Sequence, residues 1–148
     1  MTEQELRSAV RAEALRWVGT PYHHGADVLG QGVDCLMLLV RVYHAVGLIP
    51  DIDPRPYAPD WQFHRNEEIY LGGLETYCEQ TDDLGVGNIC MWKFGRTYSH
   101  SGIYMGDGVV CHAWRDVREV TLTELHYPKL ATRQRLQYRL KDWGAHGR

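Results

Sequence analysis

The chain has only four cysteines among 148 residues, Cys35, Cys78, Cys90 and Cys111, and none stands in a CxxC or CxxH pair. That spacing argues against a structural zinc site. Nothing at the N-terminus reads as an export signal: Met1-Thr2-Glu3-Gln4-Glu5 is acidic, with no basic segment leading into an apolar one. The expectation is four free thiols. It is also a protein made and kept in the cytoplasm, or leaving it by lysis or as part of a particle. No apolar run approaches the roughly 20 residues of a membrane span. There is no large excess of one charge either; a net charge of −3 gives no general attraction to nucleic acid or to an anionic membrane. Internal repeats and low-complexity segments are absent as well.

What remains is an ordinary globular composition, 44% apolar and 24% charged, long enough for one domain over 1–148 with a real core. The acids crowd between Asp51 and Asp83, and the end from Arg133 to Arg148 is mildly basic; both read as solvated surface. Five tryptophans and nine tyrosines read as core and half-buried sheet residues, or as the lining of a groove for an extended ligand.

Thr2 and Glu5 form a capping box, and Leu6, Val10, Ala14, Trp17 and Val18 follow at helical spacing up to Gly19. Loops at 19–25 and 30–32 then deliver the chain to Cys35. The run Cys35-Leu36-Met37-Leu38-Leu39-Val40-Arg41-Val42-Tyr43-His44-Ala45-Val46 is apolar on nearly every side and stops at Gly47 and Pro50. It predicts a central buried helix. The stretch 51–64 carries Pro54, Pro56 and Pro59 and reads as irregular, and Glu67 to Glu79 as a surface helix. From Gly85 the character changes to short strands separated by turns: 89–94, 100–105, 109–114, 117–122 and an alternating 133–140. Helices first and an antiparallel meander second is the α+β pattern.

Cys35 is the residue with the sharpest chemistry. A thiol at a helix N-terminus meets unpaired N–H groups and the positive end of the dipole, and both favour the nucleophilic thiolate. The alternative is an inert buried thiol. His100 and His112, on strands joined through Gly106-Asp107-Gly108, offer a base and an orienting partner. A two-residue Asp107-Gly108 loop would pair Gly106 with Val109 and send the histidines to opposite faces. A three-residue loop, or an equivalent bulge, puts them on one face as diagonal neighbours. The catalytic reading requires the second. Cys111 alternates away from His112, so it is no nucleophile. His23-His24 reads as an exposed pair rather than metal ligands, and His44, Cys78 and Cys90 as structural.

These residues bear a family resemblance. Trp17-Val18-Gly19-Thr20-Pro21-Tyr22, then Gly32-Val33-Asp34-Cys35, then Ser99-His100-Ser101-Gly102-Ile103-Tyr104-Met105-Gly106, then Cys111-His112-Ala113 resemble the NlpC family of papain-like cell-wall cysteine peptidases. The order and spacing hold over about two thirds of the chain. Cys35, Tyr43, Gly47 and Pro50 look most like the short versions carried by phages and prophages in association with tail assembly.

The resemblance implies a papain-like α+β fold with the nucleophile-bearing helix packed on a mostly antiparallel sheet. It implies Cys35 as nucleophile, His100 as general base, His112 as the orienting residue and Tyr22 as a group polarising the scissile carbonyl beside the Cys35 N–H. It implies Asp34 as an acid that holds the free amine of the substrate, although an acid before a helix is also a common N-cap. The substrate it implies is the stem peptide of bacterial peptidoglycan, with no metal or organic cofactor and with other phage tail proteins as partners. Two positions depart from the family pattern: Leu36-Met37 where relatives have small residues, and Gly87-Asn88 where they have Gly-Asp. The open alternatives are a non-catalytic tail or scaffold protein, a papain-like acyltransferase or deamidase, and, more distantly, a metal hydrolase.

Overall fold

A computed structural model describes residues 1–57 and 64–143, with the backbone alone for 64–70. Helix α1 (Glu3–Arg16) begins at the Thr2–Glu5 capping box, with both reciprocal bonds present, and buries Leu6, Val10 and Ala14 along one face. Such a box contributes about 1 kcal/mol. Arg7 and Arg11 on α1 donate to the carbonyls of Val86 and Met105, which fasten the helix to the sheet side of the molecule.

A small hairpin follows, β1 (Asp27–Val28) with β2 (Gly32–Val33), between the two helices, where no strand is read from sequence. Two-residue strands carry no periodicity to detect. Helix α2 (Cys35–Val46) buries Cys35 through Val40, then Val42 and Tyr43, and ends at Gly47 with φ 84°. Only glycine adopts that left-handed cap without strain. Burying side chains such as Leu38 and Met37 contributes roughly 1.5–3 kcal/mol each. The Tyr43 hydroxyl ties the helix to the Gly87 carbonyl at 2.7 Å.

Residues 51–57 form neither helix nor strand, 58–63, including Pro59, lie outside the described residues, and His64, read as irregular, opens the next helix. Helix α3 (His64–Tyr77) starts earlier and ends earlier than the 67–79 expectation. Cys78–Gln80 is instead strand β3, drawn into the sheet by pairing with the last strand. The remaining strands are β4 (Ile89–Phe94), β5 (Thr97–Gly106), β6 (Val109–Trp114), β7 (Glu119–Glu124) and, after the short helix α4 (Pro128–Ala131), β8 (Arg135–Leu140). They form one six-stranded antiparallel sheet in the order β3-β8-β4-β5-β6-β7. The last strand therefore sits inside the sheet, between β3 and β4.

One face of the sheet packs on the helices through Ile89, Met91, Ile103, Cys111 and Ala113. The other carries a smaller cluster of Cys90, Trp92, Tyr104, Val110 and Leu130. All four cysteines are buried and unbridged. Among the described residues no helix is long and apolar enough to cross a membrane.

Asn88, one of the two departures from the family pattern, has a structural role. Its side chain is buried and its Oδ1 accepts from Arg7 and from the Trp143 indole, at 3.0 and 3.1 Å. Those are structural bonds, which a neutral amide oxygen accepts as a carboxylate would.

Candidate active site

The N-terminus of α2 is held by Asp34. Its Oδ1 accepts from the Met37 N–H at 2.9 Å, and its Oδ2 accepts from the Gly25 N–H at 2.7 Å and from the Tyr57 hydroxyl. The carboxylate is fully buried. Asp34 is therefore an N-cap and the anchor of two loops. A substrate amine would reach it only as a fourth donor or in place of one of these three.

Cys35 is the first residue of α2 and lies against β5. Its thiol points to the Ser99 carbonyl at 3.8 Å, and its own carbonyl accepts from the Ser101 hydroxyl at 3.4 Å. His100 is the residue between those two contacts. Opposite β4 the register slips at this point, since Trp92 faces His100 but Lys93 faces Tyr98, leaving Ser99 as the extra residue of a bulge. Bulges re-aim side chains at sites of this kind.

The hairpin geometry agrees with the catalytic requirement, by way of the bulge. The turn is the two-residue form, with Gly106 facing Val109 and both Asp107 and Gly108 at positive φ, 53° and 75°. That is the twist-matched hairpin turn. One residue earlier the register shifts at Met105, so Tyr104 faces Val110 and Ile103 faces Cys111. The shift returns His100 and His112 to one face. His100 Nε2 and His112 Nδ1 are 2.7 Å apart. His112 Nε2 lies 2.9 Å from Thr123 Oγ1 on β7.

Aromatic rings close over this pair. Trp92 and Phe94 stand 5.7 and 5.5 Å from the His100 ring, and Trp114 stands 4.9 Å from that of His112. Burial pushes His100 down to about 4, against the weaker opposing pull of Asp116. His112 is pushed well down by burial and then by His100. Both imidazoles are therefore neutral near pH 7, the state in which one can accept a proton.

Tyr22 is half-buried, in the electrostatic reach of Cys35 and Asp34. Burial and those two neighbours push its phenol well up, so it stays a hydrogen-bond donor. Its backbone is pinned by bonding to the Arg118 carbonyl at 2.8 Å. Leu36 and Met37 are buried in the core. Cys111 points the other way, to the Ala14 carbonyl at 3.7 Å. His24 Nε2 lies 3.0 Å from the Tyr57 carbonyl and its ring meets Tyr57 edge-on, while His44 Nδ1 lies 3.2 Å from the Ile49 carbonyl. Among the described residues no group of three His, Cys, Asp or Glu side chains is placed to hold a metal ion.

Two residues of the site carry no sequence signal as such. Tyr57 sits in an irregular proline-rich stretch. It reaches Asp34 because Arg55 ties that stretch to the Gly25 carbonyl and to Asp27. Thr123 is found only through strand register. Gly102 is in the motif, and its role appears in the packing: a Cβ there would lie 2.6 Å from Val110 Cγ2, 2.9 Å from the Cys111 carbonyl and 2.9 Å from His112 Cβ.

Comparison with known proteins identifies the family and the fold. The NlpC/P60 family matches residues 19–138. The Mycobacterium tuberculosis protein named "Probable endopeptidase Rv2190c" is 30% identical over 107 residues, which are 72% of this chain and 23% of that protein. A Mycobacterium bovis protein, "Probable endopeptidase Mb2213c", matches to the same extent. The chain thus spans about a quarter of the length of these curated relatives. Among solved structures, the NlpC/p60 domain of the peptidoglycan hydrolase SagA superposes with a TM-score of 0.58 at 21% identity, covering 88% of this chain and 96% of that one. An N-acetylmuramoyl-L-alanine amidase from Bacteroides uniformis gives 0.64 at 11% identity, covering 93% and 99%. At those identities the likeness is one of fold. The chain belongs to the NlpC/P60 family and has its papain-like α+β fold.

Proposed function

We propose that this protein is a cysteine peptidase that hydrolyses a peptide or isopeptide bond in the stem peptides of bacterial peptidoglycan. The observation that carries the reading is the buried 2.7 Å contact between His100 and His112, formed where β5 meets the first residue of α2. The names of the relatives supply the substrate class: a peptidoglycan hydrolase, endopeptidases and an amidase.

In this reading His100 takes the Cys35 proton and the thiolate sulfur attacks the scissile carbonyl carbon. The oxyanion is held by the Cys35 N–H and the Tyr22 hydroxyl. The C–N bond breaks, the leaving amine takes the proton from His100, and a thioester remains. His100 then takes a proton from water, whose oxygen attacks the thioester carbon, the C–S bond breaks to release the acid, and His100 returns its proton to the sulfur to restore the thiol. Asp34 supports the helix start that carries the nucleophile. The setting is a phage or prophage tail, made in the cytoplasm and carried out on the particle. The phage-like spacing of Cys35, Tyr43, Gly47 and Pro50 supports that setting.

The test is digestion of purified peptidoglycan with mass analysis of the products. Wild type releases hydrolysed stem peptides; Cys35→Ala and His100→Ala release none. Unchanged release by Cys35→Ala would refute the reading and favour a metal hydrolase, and no release by wild type would refute it and favour a scaffold. A transferred acyl group in place of a free acid would identify an acyltransferase. Detection of the chain in purified phage particles tests the setting.

A further inference from the structure

We propose that Thr123 is the terminal acceptor of a hydrogen-bonded line running from His100 through His112, and that it is a positioning residue for proton transfer to His100. The inference rests on the peptidase reading above and names a residue beyond it.

The line is a product of register. His112 on β6 directly faces Thr121 on β7, yet its Nε2 contacts Thr123, two residues on. By the pairing of Ile103 with Cys111, His112 faces Gly102 on β5, yet its Nδ1 contacts His100, two residues back. The three side chains therefore lie on one diagonal across three strands. Diagonal neighbours on a twisted sheet come within reach of ring-sized side chains. Contacts of 2.7 and 2.9 Å at the two nitrogens of His112 account for both of its hydrogen-bonding positions.

The proton count then assigns direction. To accept the thiol proton on Nδ1, His100 must carry its own proton on Nε2, which donates to His112 Nδ1. His112 must therefore carry its proton on Nε2, and Thr123 Oγ1 accepts it. The same arrangement serves once His100 is an imidazolium, because its Nε2–H must still find an acceptor. If Thr123 donated instead, His112 would hold its proton on Nδ1 and aim it at His100 Nε2. The remaining proton of His100 would then occupy Nδ1, where the thiol proton has to go. A third-row hydroxyl that accepts thus keeps both imidazoles in the productive tautomer.

The line ends on a neutral hydroxyl. The charged or titratable groups beside it are Asp116 from the β6–β7 turn, which acts on His100, and Cys35 from α2, whose thiol contacts the Ser99 carbonyl next to His100. Asp116 is itself paired with Lys129 of α4. Among the described residues none of these replaces Thr123 as an acceptor for His112.

The experiment compares Thr123→Val, Thr123→Ser and Thr123→Ala with wild type, and Thr121→Val as the control on the same strand. Removing the acceptor of a buried N–H should lower kcat roughly 10- to 100-fold with KM little changed. It should also move the pH midpoint of Cys35 alkylation upward, because His100 holds the thiol proton less well. Thr123→Ser should restore both, and Thr121→Val should leave both unchanged. If Thr123→Val unfolds, the Ala and Ser variants carry the comparison. A wild-type pH midpoint and kcat in Thr123→Val or Thr123→Ala overturns the proposal, as does failure of Thr123→Ser to restore them. Activity persisting in Cys35→Ala would instead overturn the peptidase reading, whatever the Thr123 variants do.

Discussion

Gly102→Ala adds a single methyl group where the structure has no room for one. The new Cβ would stand 2.6 Å from Val110 Cγ2, 2.9 Å from the Cys111 carbonyl oxygen and 2.9 Å from His112 Cβ. Two of these three neighbours belong to the β6 backbone or sit directly on it, so they cannot rotate away. Relief requires β5 and β6 to part by several tenths of an ångström at the position of His112. Overpacking of this kind costs about 1–3 kcal/mol. For a chain of 148 residues that lowers Tm by roughly 3–12 °C. The same displacement opens the 2.7 Å contact between His100 and His112, and misplacement of a catalytic group by about 1 Å costs on the order of 100-fold in rate. The matched control is Gly72→Ala. Gly72 lies exposed in α3 with nothing within 4 Å of its would-be Cβ, so helix propensity alone predicts a gain of up to about 1 kcal/mol. Thermal unfolding and peptidoglycan digestion of the two variants give four numbers. Loss of both stability and rate in Gly102→Ala, with neither lost in Gly72→Ala, is the expected pattern. Wild-type Tm and rate in Gly102→Ala would refute the packing argument.

Acid should weaken the fold through the histidine pair. His100 is held down to about 4 by burial against an ordinary 6.5, so the unfolded chain binds its proton first. The stabilisation is complete above pH 6.5 and is lost as pH falls toward 4, by about 3 kcal/mol, with His112 acting in the same direction. Urea unfolding at pH 7 and pH 4.5 measures this, and an unaltered pH dependence in His100→Gln would show the assignment to be mistaken. Tyr57→Phe removes one of three donors to the buried Asp34 carboxylate and should cost about 1–3 kcal/mol, read as a lower urea midpoint at constant m. Asp34→Ala, which strands all three donors and uncaps α2, should cost more; a smaller loss than in Tyr57→Phe would contradict the cap assignment. Iodoacetamide labelling should modify Cys35 before Cys78, Cys90 and Cys111. Burial pushes the other three thiols up to about 12, so equal labelling rates would count against an activated Cys35.

Much of the fold was legible because it rests on local rules. The Thr2–Glu5 box, the apolar run after Cys35 and the Gly47 stop each act within a few residues, and the structure has helices there. The alternating strands from Ile89 onward were visible for the same reason. Cys78–Gln80 was not, because three residues have no period and become a strand only when β8 arrives to pair with them. The position of β8 between β3 and β4 was equally hidden, since strand order follows from long-range pairing and not from pattern.

The line between sequence and tertiary structure runs through the candidate active site itself. Residue order determined that a thiol would open a buried helix and that two histidines would follow on adjacent strands. Whether those histidines share a face depended on one extra residue at Met105, and a bulge of one residue has no signature beyond its neighbouring glycine. Folding decided that register, and with it the 2.7 Å contact, the place of Thr123 behind it and the reach of Tyr57 to Asp34. The physical reason is that side-chain alternation is a local property, whereas register is settled by which strands pair and where they slip.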